Sequence, residues 1–136
     1  MTKLFSTLPE DLIEARVKGV APWTKCVRED FHVSVFEDMF PVTKGHLLFI
    51  PEYATLGVIE DCFSDALREG AMRVESGEWE GFNVGLNIGE VAGQTVPWPH
   101  VHLIPRYKGD TPDPIGGVRR VVKGQGNYKG KGYKQP

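Results

Sequence analysis

The stretch from Thr55 to Gly77 constrains the fold more than any other. Ile59, Cys62, Phe63, Ala66, Leu67, Gly70, Ala71 and Val74 recur at helical spacing and draw one apolar stripe. Thr55 supplies a cap and Gly77 a stop. The opposite face carries Glu60, Asp61, Asp65, Arg68, Glu69, Arg73 and Glu75, and reads as solvated. A helix with a single apolar stripe must lie on something apolar, and the short strand-like runs on either side of it supply a sheet. Gly70 sits on the stripe, where a missing side chain permits close packing against that sheet.

In chain order, Thr7 and Glu10 form a capping-box pattern that opens a short helix through about Val17. Residues 24–28 and 32–36 read as strands joined by a turn at Glu29-Asp30. His32 belongs to the surface of the second strand. Residues 37–45 form a loop stiffened by Pro41 and turned at Gly45. Residues 46–51 are a short apolar run, read as a central strand stopped by Pro51. Residues 82–87 alternate well enough to bury one face. The order α-β-β-β-α-β-β predicts an α+β fold, with about five antiparallel strands and two helices.

At 136 residues the chain suits one domain with one sizeable core. Its charge is uneven. Residues 1–107 hold 9 Lys/Arg against 16 Asp/Glu, and residues 108–136 hold 7 against 2. We therefore divide it into a body, 1–107, and a basic Gly-rich arm, 108–136, which is extended and ordered only where it docks. No aromatic-basic motif accompanies the arm, so the expected contact is the body or a second copy rather than nucleic acid. Cys26 and Cys62 have neither zinc spacing nor a disulfide pattern. No membrane span or signal segment is read, and the expected location is the cytoplasm.

The candidate site is residues 93–106. His100 and His102 lie two apart in an extended run, so both imidazoles share one strand face, while Val101 and Leu103 turn into a core. Trp98 falls on the histidine face one pleat earlier, at the mouth. Pro97 and Pro99 hold Val96 and Trp98 extended and remove two N–H donors, which marks an edge. Gly89 and Gly93 give the preceding loop the freedom to approach an anion, with phosphate the first candidate. By spacing alone the pair can be catalytic, a metal pair or a solvated strand face. A metal would need further ligands, and His32 and His46 are the only other histidines.

Two blocks carry a resemblance. Residues 82–106, ending in His-Val-His-Leu-Ile-Pro-Arg, resemble the signature of the histidine triad (HIT) superfamily. Residues 36–51, with Asp38 and Gly-His46, resemble that family's other block. The likeness spans about residues 24–107, and the stretch after Arg106 resembles a bacterial subgroup. It implies protomers paired into a dimer with a continuous sheet. It also implies hydrolysis or transfer at the α-phosphate of a nucleotide conjugate, with no metal and no cofactor. Carried over by position, His100 is the nucleophile and His102 contacts the phosphate and leaving-group oxygen. Asp38 falls at the ribose hydroxyls, Asn87, Gln94 and Thr95 at the phosphate and leaving group, and His46 behind the nucleophile. Trp98 stands where the family's first histidine belongs, and is read either as a cover on the edge strand, against a partner protomer, or as bordering the leaving-group path with a flat face toward a base or other planar group.

The residues support such chemistry directly. A neutral imidazole is a fair nucleophile at phosphorus. For one ring nitrogen of His100 to attack, the other should donate to a fixed acceptor, for which a backbone carbonyl is expected. Gln94, Thr95, His102 and loop amides are the expected donors to the phosphoryl oxygens.

Overall fold

The computed structural model describes residues 4–130 and 132. Helix α1 (Leu12–Val17) leads into the hairpin β1 (Cys26–Asp30) and β2 (Val33–Glu37), followed by β3 (Leu47–Pro51). The long helix α2 (Leu56–Glu75) crosses to β4 (Gly81–Leu86), and a 3-10 turn at Glu90–Ala92 precedes β5 (Val101–Arg106). The strands form one antiparallel sheet in the order β1-β2-β3-β5-β4. β3 is the middle strand, and all five of its residues are buried. The expected α+β class, the five strands and the two helices are all present.

Thr55 does cap α2, accepting from the Val58 N–H. Ile59, Cys62 and Ala66 pack on Val33, Val35, Leu47, Phe49, Val101 and Leu103, which form the core beneath α2. A Cβ on Gly70 would stand 2.7 Å from the Phe82 ring, so glycine is what lets α2 meet β4. Two readings of this helix need correction. Phe63 and Leu67 are exposed rather than inside, because the stripe that touches the sheet is narrower than the apolar spacing suggests. Glu69 is buried rather than solvated. Arg28 from β1 and Arg73 one turn along both reach its carboxylate at 2.7 Å, and together they hold its pKa below the usual range against the opposing effect of burial.

The cap of α1 is Asp11, whose side chain accepts from the Glu14 N–H at 2.8 Å, and not Thr7. A start at Thr7 would require Leu8 to be helical, and Pro9 disfavours that. The β1–β2 turn is Phe31-His32, since Asp30 pairs with Val33. His32 lies part-exposed beside Glu52.

The segment after Arg106 is more built than an extended arm. It carries a 3-10 helix, Gly117–Val121, that packs near β4. Arg120 binds Asp113 and the Ile115 carbonyl, Arg119 donates to the carbonyls of Gln125 and Gly126, and Asn127 reaches Asp113. Gly116 has φ +92°, and a Cβ there would strike the Gly126 carbonyl. These are cross-links within the segment itself, formed by residues with no hydrophobic period.

Candidate active site

Strand alternation divides β5. Val101, Leu103 and Pro105 are buried toward α2, while His102, Ile104 and Arg106 face the other way. On that second face Phe36, Leu48 and Ile50 are covered by Leu12 and Ala15 of α1 together with Trp23 and Trp98. Because α1 is only six residues long, the cover stops short of β5 and β4. The histidines stand at its border.

His100 retains 9% of its surface, which leaves it only a narrow approach. Its Nδ1 lies 2.8 Å from the Trp98 carbonyl. A carbonyl only accepts, so Nδ1 carries the proton and Nε2 keeps its lone pair. This is the arrangement expected for the nucleophile. The Trp23 ring lies 4.8 Å from the imidazole, tilted at 55°. Burial lowers the His100 pKa, with the Trp98 carbonyl and Asp38 opposing.

A second chain of hydrogen bonds sets the neighbouring tautomers. The Val42 N–H donates to His46 Nδ1 at 3.0 Å, so the His46 proton is on Nε2. That nitrogen stands 2.9 Å from His102 Nδ1 and 3.4 Å from Asp38 Oδ2. His102 Nδ1 therefore accepts, and the His102 proton sits on Nε2. Burial, followed by the fields of His100 and His46, pushes the His102 pKa down to about 4, so its ring is neutral near pH 7. Asp38 is fixed in turn by the Phe40 N–H at 2.7 Å.

Asp38, His46 and His102 also form a possible ligand trio for a metal, with their donor atoms within 4.8 Å of one another. The donor chemistry fits poorly. A ligating histidine normally donates its other ring N–H to an acceptor, whereas His46 Nδ1 accepts from the Val42 backbone. A metal on His46 Nε2 would have to displace the proton that this bond places there.

Asp38, His46, His100 and His102 thus converge, and Asn87 lines the same groove as His46 and His102. Three other candidates lie elsewhere. Gln94 Oε1 accepts from the Gly89 N–H, and its amide donates to the Val96 and Pro97 carbonyls, so it fastens the loop on itself and has no hydrogen left for a phosphate. Gln94 and Thr95 line a separate hollow of about 380 Å³ beside Leu4 and Leu8. Trp98 is fully buried and offers no face to a ligand. Its indole N–H donates to the Pro51 carbonyl at 3.0 Å. The indole is too large for the mouth of a strand edge and fills the core under α1. Trp23 escaped the sequence reading because nothing local ties it to His100; its only cue was an aromatic residue before β1.

The fold is that of a histidine-triad domain. The HIT domain family model matches residues 22–109, and the chain belongs to that family. It is 42% identical over 104 residues to protein hit of Bacillus subtilis, covering 69% of this chain and 70% of that one. It is 31% identical over 101 residues to the asymmetrical bis(5'-nucleosyl)-tetraphosphatase of Schizosaccharomyces pombe, covering 69% and 56%. Among solved structures, a HIT family protein from Bacillus anthracis superposes with a TM-score of 0.58 at 34% identity, covering 74% of this chain and 75% of that one.

Proposed function

We propose that the protein is a nucleotide hydrolase or nucleotidyl transferase acting at the α-phosphate of a nucleotide conjugate. The observation that carries this reading is the ordering of the tautomers: a lone pair on His100 Nε2 and a proton on His102 Nε2. Relatives named as a tetraphosphatase, an adenylylsulfatase and an AP-4-A phosphorylase support phosphorus chemistry on nucleotides.

In the first step His100 Nε2 attacks the α-phosphorus. The bond from phosphorus to the leaving group breaks, and the leaving group departs with the Nε2 proton of His102. In the second step water attacks the phosphorus of the nucleotidyl-histidine and returns one proton to His102. The P–N bond breaks, which frees a nucleoside monophosphate and neutral His100. Asp38 accepts from the ribose hydroxyls, Asn87 and loop amides face the phosphoryl oxygens, and His46 orients His102. Gln94 and Thr95 shape the loop, and Trp98 presents the carbonyl that fixes the His100 tautomer.

The test is a panel of dinucleoside polyphosphates, nucleoside phosphoramidates and adenylated small molecules, with phosphorus-based identification of products. Release of nucleoside monophosphate is the expected result. A second reading, a nucleotide-binding module with little turnover, draws on the 9% exposure of His100. Submicromolar binding with no product from any conjugate would favour it. We further propose a homodimer formed through the β4 edge with a continuous sheet, a cytoplasmic location consistent with two free thiols, and a body ending near residue 107. Sedimentation of a monomer at micromolar concentration would overturn the dimer.

A further inference from the structure

The bond from His100 Nδ1 to the Trp98 carbonyl, at 2.8 Å, sets a distance and a tautomer. It does not set a plane, because the imidazole can still turn about the N–H···O line. Attack at phosphorus also needs the direction of the Nε2 lone pair to be held. That calls for a second restraint on the ring, from a rigid group beside it.

Two rings stand against the imidazole. His102 has its centroid 5.1 Å away, tilted at 59°, and Trp23 lies at 4.8 Å, tilted at 55°. Both separations are those of aromatic pairs in contact, for which tilted geometry is favoured. The His102 side chain is 23% exposed and carries the proton assigned to the leaving group, so it makes a poor fixed wall. Trp23 is only 5% exposed and sits in one core cluster with Leu12, Ala15, Phe36, Leu48 and Trp98.

The backbone ties this indole to the same residue that holds His100. The Trp98 N–H donates to the Val20 carbonyl at 3.3 Å, and the Val20 N–H donates to the Ala15 carbonyl at 2.9 Å. Residue 98 therefore fastens the segment between α1 and Trp23 through its N–H, and the imidazole through its carbonyl. An indole has no acid or base to lend near neutral pH. What it contributes beside His100 is a flat, immobile surface.

We propose that Trp23 is a positioning residue for His100: its indole fixes the plane of the imidazole and so the line along which Nε2 meets phosphorus. The consequence for turnover rests on the proposed nucleotidyl transfer, whereas the geometry belongs to the resting protein. Trp23 acts through His100 rather than on the reacting atoms. Its cover also keeps water, a competing acceptor, away from the Nδ1 proton.

The experiment pairs steady-state kinetics with nitrogen NMR of the histidine side chains in the protein without ligand. Trp23→Met keeps apolar bulk without a flat face, and Trp23→Phe keeps a flat face with less bulk. Trp23→Met should lower kcat about 30-fold or more with KM within about twofold, and Trp23→Phe should stay within about fivefold of wild type. Wild-type His100 should show one tautomer, with an Nδ1 proton in slow exchange with water. In Trp23→Met that proton should exchange at least about tenfold faster, with Trp23→Phe in between. Equal losses of kcat in both variants, or an Nδ1 proton unmoved in Trp23→Met, would overturn the proposal. If the wild type turns over no conjugate but Trp23→Met still frees the ring, nucleotidyl transfer fails and the positioning role stands. If Trp23→Met does not fold, the other two spectra decide. Exchange must then be slow in the wild type and faster in Trp23→Phe, and any other order removes the proposal.

Discussion

The two faces of β5 differ by one residue of register and by almost everything else. Toward α2, Val101 and Leu103 lie under a twenty-residue helix with no accessible surface. Toward the other side, His100 and His102 lie at the border of what a six-residue helix can cover. The first face is fastened by burial, the second by directed hydrogen bonds: Trp98 carbonyl to His100, Val42 N–H to His46, and His46 to His102. Stability is concentrated on one face and the proposed chemistry on the other. Substitutions on the two faces should therefore separate the two properties.

The largest separation is expected at His100. His100→Ala should lower turnover by about 10³-fold or more, while stability changes by about 1 kcal/mol and nucleotide affinity stays near wild type. Steady-state kinetics, equilibrium unfolding and titration with nucleotide together check this. Retention of a tenth of the activity would remove His100 as nucleophile. The converse is Gly70→Val on the closed face. Its branched side chain meets the Phe82 ring and should destabilise by about 2–3 kcal/mol, leaving kcat per folded molecule unchanged. Loss of kcat in that variant would show that the faces are coupled through β4.

Acid should act through the open face. Burial lowers the pKa values of His46, His100 and His102, the last to about 4, whereas in the unfolded chain these histidines take protons near 6.5. Between those limits the unfolded state binds more protons, so stability falls as pH drops below about 6.5. Neutral His100 also persists into that range, so if it is the nucleophile the acid limb of kcat/KM should lie below 6.5. A limb at or above 6.5 would mean that His100 is solvated when it works. The smallest effect is optical. With Trp98 buried and Trp23 against His100, ligand-dependent tryptophan emission should survive Trp98→Phe and vanish in Trp23→Phe. The reverse result would put the indole of Trp98 in the site.

The closed face was the legible one. Strand alternation in β5 and the Thr55 cap are written in neighbouring residues, because period and capping act over a few positions. The open face depends on pairs far apart in sequence. Trp98 meets Pro51 across 47 positions, and His46 meets His102 across 56. Placing Trp98 at the mouth followed from strand period alone, which says which side a residue faces but not how much chain covers it. Gln94 was misread for a related reason. Its residue type suits a phosphate donor, but three backbone groups of its own loop claim its amide first. The tail escaped because polar cross-links leave no periodic trace.

The bond from Trp98 to Pro51 bears on what position 98 can tolerate. β3 and β5 pair only from Leu47–Leu103 to Phe49–Val101, and the two prolines at the approach to β5 have no N–H to extend the ladder. The indole supplies the missing donor, so position 98 closes the seam between the strands and presents the His100 acceptor from its own backbone. A histidine at position 98 would exchange a long-reaching donor for a shorter ring in a space shaped for an indole. Trp98→His should therefore give a protein with a loosened seam and a less firmly held His100. Position 98 is in that sense a keystone: its neighbours have closed around an indole, and a smaller ring leaves part of that space empty.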